Sequence, residues 1–507
     1  MDYLTEMNNN QNRKNPIEDN DDSFIAPESN DEFVSLQREI TPDSDILVNI
    51  ENKKTLYENN VRALAVKIIT RCERSDAYLD KILDFELRNS NLNDFDKSLL
   101  TEITHGVIRW MRRLDWFLNG FYRGQYEKCV PEIKNALRVA LYQILFLNKI
   151  PYFAAVNEAV EFVKQIRGEK HAGVVNGVLR NIIRTLDALV WPTREIDEVN
   201  YLGIVQSHPN WMVRRWVNRF GFEETEALCE ANNKRPLIYL RLNKLKGTTE
   251  KLVEYLTEKN FNFNISPYLD YFFGVKMMSK IYEDEQFNAG LFTVQDVSAG
   301  LVTHLLDPKE GELVMDLCAA PGGKTTHIAE YSNNLAKIIA IDKYSIRLES
   351  LKKNIERLGL KNILPIQEDL INPKTDLIKS KMIEKADKVL VDAPCSGFGV
   401  ITKKPDIKWK RDSKDIIKLT KIQFELLEIA EKFVKPGGAL IYSTCTTEIE
   451  ENQEMIERFL SKYPYYKIDN ANNYLPLEVV NSSGMMETFP HRHNIDGAFA
   501  VRLIKLV

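Results

Sequence analysis

Apolar residues in the first third of the chain recur with the period of an α-helix. They fall at spacings of three and four residues in four segments, 61–72, 137–144, 156–163 and 175–182. Such spacing gives each helix one apolar stripe, and the stripes have to pack against one another. The pattern therefore predicts an all-helical domain over residues 57–190.

A different pattern begins near residue 291. Short apolar runs typical of buried strands alternate with helical stretches, and the runs are 313–317, 338–341, 363–366, 389–392 and 439–443. This alternation predicts, over residues 291–507, a parallel sheet with helices on both faces, in which strands four and five neighbour the first. The intervening residues 191–290 mix prolines with short β-like runs such as 238–242, which predicts a linker and a small α/β subdomain.

The first 56 residues differ from the rest. They are rich in Asn, Asp, Glu and Ser without a sustained period, so we expect a disordered acidic tail. Residues 1–60 hold 14 acidic against five basic residues, a net charge of −9, whereas the whole chain carries −5. The other 447 residues carry +4, so the bulk charge does not argue against a nucleic-acid partner.

Composition excludes several protein classes. A chain of 507 residues that is 44% hydrophobic and 28% charged is neither fibrous nor wholly disordered. Its six cysteines are scattered without a CxxC pair, which favours reduced thiols over a disulfide scaffold. No segment reaches the roughly 18 uncharged apolar residues of a membrane helix, and no secretory signal is seen, so we expect a soluble cytoplasmic protein.

The first predicted strand leads into a glycine-rich turn. Segment 312–326, ELVMDLCAAPGGKTT, combines a buried strand, this turn and a helix start. Ligands of open α/β sheets bind at the carboxyl ends of the strands, where glycine lets backbone amides approach, so we expect a cofactor loop. A Walker A loop needs glycine where Cys318 stands, and GxGxxG is absent; a purely structural turn remains the alternative.

Acidic residues follow the next two strands. Asp342 ends the second strand and Asp369 follows the third. In doubly wound folds such acids bind ribose hydroxyls, and two at successive strand ends favour a nucleoside-containing cofactor. Taken singly, each is equally compatible with a solvated loop carboxylate.

Two cysteines follow the fourth and fifth strands. Cys395 lies in DAPCSG after Asp392, and Cys445 lies in YSTCT. Because the carboxyl ends of parallel strands share one edge, both thiols and Asp392 should face the cofactor loop. The cysteines at 72, 129 and 229 are better explained as small core residues.

These segments resemble the RNA (cytosine-5) methyltransferases, which use S-adenosylmethionine. The similarity covers residues 316–326, 392–397 and 443–445, together with VQDVS at 294–298, KPDIKWKR at 404–411 and DGAFAVRL at 496–503. Segments 137–145, 154–160 and 175–181 resemble a NusB-like domain, and HPNWMVRRW at 208–216 is similar to the linker that follows it.

That domain order is the one of the bacterial Sun, or RsmB, type, which methylates a cytosine of 16S ribosomal RNA. The resemblance implies a multidomain chain, with an all-α NusB-like domain followed by an α/β Rossmann-like S-adenosylmethionine-dependent methyltransferase domain. It implies 16S RNA as the partner, naked or in an assembling subunit. We expect a monomer. We also expect no metal, because the seven histidines form no ligand cluster and the chemistry needs no metal.

The resemblance also implies catalytic roles. Carbon 5 of cytosine is a poor nucleophile until a thiolate adds to carbon 6. The family gives this role to Cys445, whereas DNA cytosine methyltransferases use the Pro-Cys thiol, here Cys395. The family assigns Cys395 to product release, and Asp392 would hydrogen-bond or protonate ring nitrogen 3. Lys324 would contact substrate or balance Asp392, unless it is a surface cation.

Cofactor contacts follow in the same way. The resemblance implies that backbone of the turn holds the methionine portion of S-adenosylmethionine; the turn residues are Cys318, Ala319, Ala320, Pro321, Gly322, Gly323 and Lys324. Asp342 would hold the ribose, Asp369 the adenine amine, and Arg347 would lie near the pocket, with Asp392 beside it. Asp316 is expected to order the turn.

RNA contact is less specific in the sequence. Segment 401–421 holds eight Lys and Arg against three Asp, with Trp409 among them, a mixture that suits phosphates and bases but also a solvated surface. The helical domain either helps to hold RNA or only docks on the catalytic domain. The alternatives are a non-catalytic RNA-binding or antitermination protein, an NTPase, and an enzyme acting on tRNA.

Overall fold

A computed structural model of the chain describes residues 60–276, 281–373 and 381–506. The predicted acidic tail, residues 1–56, lies outside the described residues.

The N-terminal region is a bundle of α-helices. Its helices are α1 (Val61–Arg74), α2 (Leu79–Arg88), α3 (Asp94–Phe121), α4 (Pro131–Phe146), α5 (Tyr152–Arg167) and α6 (Glu169–Arg184). The stripes that the spacing defines are buried, as Leu64, Leu137 and Val175 illustrate. Asn60 caps α1 by accepting hydrogen bonds from the amides of Arg62 and Ala63, which fixes where the first helix begins.

Three helices and a small sheet follow. The helices are α7 (Glu198–Val205), α8 (Asn210–Phe220) and α9 (Phe222–Asn233). The sheet has the antiparallel order β2-β3-β1-β4, from β1 (Ile238–Leu242), β2 (Phe263–Ile265), β3 (Phe272–Val275) and β4 (Phe292–Val294), with α10 (Thr249–Glu258) and α11 (Glu285–Asn288). The predicted β-like run 238–242 is β1, and the linker is helical.

The C-terminal region is built on a larger sheet. Its strands are β5 (Leu313–Asp316), β6 (Lys337–Asp342), β7 (Ile363–Gln367), β8 (Ala386–Asp392), β9 (Val434–Thr444), β10 (Tyr466–Asp469), β11 (Met486–Thr488) and β12 (Ala498–Lys505). Its helices are α12 (Val297–Leu306), α13 (Gly323–Tyr331), α14 (Ser345–Leu358), α15 (Ile407–Lys410), α16 (Ser413–Phe433), α17 (Gln453–Lys462) and α18 (Pro490–His493).

The sheet is mixed rather than purely parallel. The five predicted runs lie in β5 to β9, which are parallel, but the order β10-β12-β9-β8-β5-β6-β7 places β12 antiparallel against both β9 and β10. The sequence predicted that the fourth and fifth strands, β8 and β9, both neighbour β5. This is confirmed for β8, which pairs with β5, but it is wrong for β9, which pairs with β8 instead. An apolar run does not encode strand direction, and the short chain after α18 returns β12 beside β9.

Alternating side chains of the large sheet supply two cores. Val314, Leu390 and Ile441 join an apolar cluster with α12 and α13. Their neighbours Met315, Val389 and Leu440 join a second cluster with α16. This period of two is what a strand covered by helices on both faces requires. Over the described ranges, no helix is long and apolar enough to cross a membrane.

Candidate active site

The carboxyl ends of β8 and β9 bring two thiols together. Cys395 follows β8 and Cys445 follows β9, and these neighbouring strands end at the same edge. Their Sγ atoms are 3.2 Å apart, and the Cys445 amide donates to the Sγ of Cys395 at 3.3 Å. Both are free thiols, with Cys445 exposed and Cys395 half-buried. One edge of the sheet therefore presents an accessible thiol backed by a second one.

The two thiols have opposite pKa shifts. The pKa of Cys445 is lowered, first by the hydrogen bond from Cys395 and further by the charges of Lys324 and Lys404, against the effects of burial and Asp392. The pKa of Cys395 is raised well above that of an ordinary thiol, because its proton is held by Cys445 and because it is buried. These surroundings favour the thiolate at Cys445 over the thiolate at Cys395.

A half-buried ion pair lies at the same edge. The Nζ of Lys324 is 2.7 Å from one carboxylate oxygen of Asp392, and Ser443 donates its hydroxyl to the other at 2.8 Å. Burial alone would lower the pKa of Lys324, but the charge and hydrogen bond of Asp392 raise it. The alternative of a surface cation at the helix start is wrong, because Lys324 points into the sheet edge.

The glycine-rich turn joins β5 to α13. Gly322 precedes the helix with φ of 108°, a conformation that favours glycine. Asp316 accepts from the Thr325 hydroxyl at 2.7 Å and from the Cys318 amide at 3.4 Å. Burial raises the pKa of Asp316 to about 7 and raises that of the Cys318 thiol as well. These contacts hold the turn against the end of β5.

Asp342 and Asp369 occupy the next strand ends. Asp342 is buried and accepts from the amides of Ala320 at 3.1 Å and Tyr344 at 2.9 Å, with the Arg347 guanidinium 3.8 Å away. Asp369 follows β7 and pairs with Lys343 at 2.9 Å. A carboxylate has about four lone-pair positions, so Asp342 retains acceptor capacity after these two bonds.

One residue beside the turn escaped the sequence reasoning. Arg241 holds the Oε1 of Gln295 at 2.6 Å, which forces its Nε2 to point elsewhere. That Nε2 is buried without a hydrogen-bond partner, and a Cβ built on Gly323 would meet it at 3.8 Å with no nearer neighbour. The only sequence signal was that residue 295 lies inside the VQDVS segment. A donor thus faces open space beside the turn.

A second residue that the sequence reasoning missed holds the loop that carries Cys395. Glu451 is fully buried and accepts from the amide of Ser396 at 2.9 Å and from its hydroxyl. Gln423 donates to the same carboxylate at 2.9 Å. An isolated glutamate in a helix-like stretch carries no sequence signal for this role.

Part of the basic segment 401–421 has a structural role. Lys408 is fully buried and donates to the carbonyls of Arg109 and Ser207, both at 2.8 Å. Trp409 donates to the Ile108 carbonyl at 2.8 Å, and Lys410 donates to the carbonyls of Cys72 and Ser75. Lys408, Trp409 and Lys410 therefore join the helical region to the catalytic one. Contact of the segment with phosphates stays a prediction for its exposed side chains, which are Lys404, Lys414, Lys418 and Lys421.

Lys403 of the same segment bridges two carboxylates. Its Nζ is 2.5 Å from Asp296 and 2.7 Å from Asp496.

Within the part of the chain that the structure describes, no group of three or more His, Cys, Asp or Glu is placed to hold a metal ion.

Three family models match successive parts of the chain. Residues 303–504 match the family described as 16S rRNA methyltransferase RsmB/F, and residues 59–184 match the NusB family. Residues 208–277 match the ferredoxin-like domain of RsmF/B-like methyltransferases. A NusB-type bundle followed by a Rossmann-like sheet with two thiols at its carboxyl edge defines a methyltransferase, as the sequence predicted.

Curated relatives extend over nearly the whole chain. It is 34% identical to the probable ribosomal RNA small subunit methyltransferase B of Bacillus subtilis, across 89% of this chain and 100% of that protein. It is 33% identical to the ribosomal RNA small subunit methyltransferase B of Cronobacter sakazakii, across 88% and 99%. The chain belongs to this family, the ribosomal RNA small subunit methyltransferases B.

Two solved structures share the fold. The crystal structure of PH0851 covers 87% of this chain and 98% of its own, with a TM-score of 0.72 and 29% identity. NSun6 from Pyrococcus horikoshii with SFG covers 60% of this chain and 100% of its own, with a TM-score of 0.53 and 25% identity.

Proposed function

We propose that this protein methylates carbon 5 of a specific cytosine in 16S ribosomal RNA through a covalent adduct on Cys445. The observation that carries the proposal is the 3.2 Å contact between the two thiols, which lowers the pKa of Cys445 only. Family membership supports ribosomal RNA as substrate, since the curated relatives are named as small-subunit methyltransferases. The competing possibility is that the enzyme methylates a tRNA instead of 16S ribosomal RNA.

The adduct forms at carbon 6 of the base. The Cys445 thiolate adds there, and the ring electrons move toward carbon 5, which becomes nucleophilic. Asp392 shares a proton with ring nitrogen 3, which takes up charge as the thiolate adds, and Lys324, 2.7 Å from Asp392, keeps that carboxyl group in place and offsets the developing charge. A base inside a duplex would first have to be flipped out.

Product release needs a second group. After methylation, carbon 5 must lose its proton before the bond between Cys445 and carbon 6 can break. Once Cys445 is bonded to carbon 6 it no longer holds the Cys395 proton, so Cys395 can release that proton to solvent and, as a thiolate, take the proton from carbon 5 while Cys445 leaves as a thiolate. Removing Cys395 should therefore trap the adduct.

The residues of the turn fit S-adenosylmethionine. An unpartnered buried amide donor at Gln295, the open space at Gly323 and the amides of α13 suit the carboxylate of its methionine portion. Backbone from Cys318 to Lys324 would hold that portion, Asp342 the ribose and Asp369 the adenine amine, with Arg347 and Asp392 at the margins. When bound, the cofactor supplies an electrophilic methyl group. The relative crystallised with SFG, an analogue of S-adenosylmethionine, supports this choice.

Further expectations accompany the proposal. We propose domain boundaries at residues 57, 191 and 291, a monomer, and a cytoplasmic location, in keeping with the bacterial ribosomal RNA relatives.

A denaturing gel tests the proposal directly. Cys395→Ala protein is incubated with S-adenosylmethionine and 16S RNA, with the Cys395→Ala/Cys445→Ala double variant as control. A slowed, ribonuclease-sensitive band that the double variant lacks is the expected result. A band that persists without Cys445 would overturn its role as nucleophile. RNA binding without any adduct on 16S, 23S or transfer RNA would favour a non-catalytic RNA-binding protein.

A further inference from the structure

Helix α8 contacts the segment that follows Cys445. The Nε1 of Trp216 donates to Glu448 at 3.0 Å, and the Arg215 guanidinium lies 2.7 Å from the carboxylates of both Glu448 and Glu450. One turn further, Arg219 donates to the Thr447 carbonyl. Three side chains of one linker helix thus hold three residues, Thr447, Glu448 and Glu450, of the segment that follows the thiol.

The same helix reaches the loop that carries Cys395. The rings of Trp211 and Phe398 are 5.9 Å apart, and Met212 and Trp216 share an apolar cluster with Phe398. Phe398 stands three residues after Cys395, so α8 packs against both thiol-bearing loops from one side.

The two loops are also joined to each other. Gly399 donates its amide to the Cys445 carbonyl at 3.0 Å, and the hydroxyls of Ser396 and Thr446 are 2.7 Å apart. Glu451 closes the arrangement by accepting from Ser396. A shift of the segment after Cys445 would therefore move Cys395 as well.

Burial makes the outer contacts strong. Glu448 is 3% exposed and Trp216 is 2% exposed, so the carboxylate depends on its protein partners for hydrogen bonding. Removing one partner of a buried carboxylate leaves its charge poorly compensated, and the segment should then move toward solvent.

We propose that α8 sets the position of the Cys445 thiol against Cys395, with Arg215 and Trp216 as positioning residues. This inference rests on the proposed function, in which Cys445 is the nucleophile. A linker helix between the two main regions would then be required for reactivity, although none of its side chains has to touch the substrate.

Thiol reactivity tests the positioning without RNA. Iodoacetamide alkylation of Cys445 is followed by peptide mass spectrometry across pH in Arg215→Ala and Trp216→Phe proteins. The charged groups that face the thiol are Asp392, Lys324 and Lys404, which neither variant alters. We expect the alkylation profile to move to higher pH, because the hydrogen bond from Cys395 is lengthened.

Matched variants separate positioning from folding. Arg214 is exposed beside Arg215, so Arg214→Ala should leave the profile unchanged. Trp216→Phe keeps most of the buried ring, and Arg215→Lys keeps the charge and should restore part of the effect. In methylation assays kcat should fall about tenfold or more while the Kd of S-adenosylmethionine stays unchanged.

Two outcomes would overturn the inference. The first is an unshifted alkylation profile in folded Arg215→Ala and Trp216→Phe proteins. The second is an equal shift in Arg214→Ala. A Cys395→Ala protein that forms no RNA adduct would contradict the proposed function instead, while the alkylation profiles would still decide the positioning.

Discussion

Cys395 and Cys445 are 50 positions apart in sequence, and their Sγ atoms are in contact at 3.2 Å. Either sulfur can donate in this contact, but the surroundings differ: Lys324 and Lys404 help to lower the pKa of Cys445, whereas burial and Glu451 help to raise the pKa of Cys395. The charges and burial around the contact thus distinguish two chemically identical side chains, one suited to attack and one suited to proton transfer.

Replacing Cys395 with alanine should make Cys445 less acidic. Because its hydrogen-bond donor is lost, the pKa of Cys445 rises, so less thiolate is present near pH 7 and alkylation there slows. Peptide mass spectrometry after iodoacetamide treatment measures the rate from pH 6 to 10. The buried Cys72, whose pKa is raised to about 12, serves as an unreactive internal control. An unchanged profile would remove Cys395 as the cause of the shift.

Lys324→Met should lower kcat by about a hundredfold, the scale at which one electrostatic donor acts in an active site. The substitution leaves Asp392 without the cation 2.7 Å away and removes a charge that lowers the pKa of Cys445. Lys324→Arg, which keeps the charge, should retain more activity. Equal losses in the two variants would instead indicate a steric role, and ATP hydrolysis that depends on Lys324 would indicate an NTPase.

Asp316→Asn should change how stability depends on pH. The folded pKa of about 7 lies above the ordinary 3.8, so the native state of the wild type binds the extra proton between these values and loses stability as pH rises through them. Relative to wild type, the variant should therefore gain up to a few kcal/mol in free energy of unfolding between pH 5 and pH 8.

Urea unfolding at the two pH values measures that difference. Asp369→Asn is the matched control, because the hydrogen bond from Lys343 holds the pKa of Asp369 below its usual value and the carboxylate is ionised at both pH values. A difference between Asp316→Asn and wild type that is the same at pH 5 and pH 8 would contradict a raised pKa.

Gln295→Glu should weaken binding of S-adenosylmethionine by about tenfold, since one hydrogen bond to a charged group contributes roughly 1.5 kcal/mol. The variant keeps the acceptor that Arg241 binds at 2.6 Å but replaces the unpartnered Nε2 donor with an oxygen. Isothermal titration calorimetry measures the Kd, and Gln165→Ala, on an exposed helix face, is the control. Unaltered affinity would exclude Nε2 as a cofactor donor.

Lys408→Met should destabilise the protein by about 2–4 kcal/mol, because two buried carbonyls lose their donor. Lys418→Ala, on the exposed side of α16, should leave the melting temperature unchanged. Differential scanning calorimetry distinguishes the two. A stable Lys408→Met protein with weakened RNA binding would restore the phosphate-binding interpretation of segment 401–421.

Periodicity determined most of the architecture from sequence, because spacing of apolar residues is a local property. The stripe at 61–72 became α1, the five runs became β5 to β9, and the glycine turn fell at the end of β5. The direction of a strand within the sheet is not a local property. β12 runs antiparallel to β9 because of the way the chain returns after α18, and the spacing of apolar residues does not predict that return.

The sequence by itself determined the family, the carboxyl-edge location of the chemistry and the identities of the two candidate thiols. Only the tertiary structure brought the two thiols of distant loops to 3.2 Å and placed Lys324 and Lys404 where their charges favour a thiolate at Cys445. It also made Lys408 of the basic segment 401–421 a buried link between regions and brought α8 against both thiol loops. Charge and residue type are read along the chain, whereas burial and partners exist only after folding.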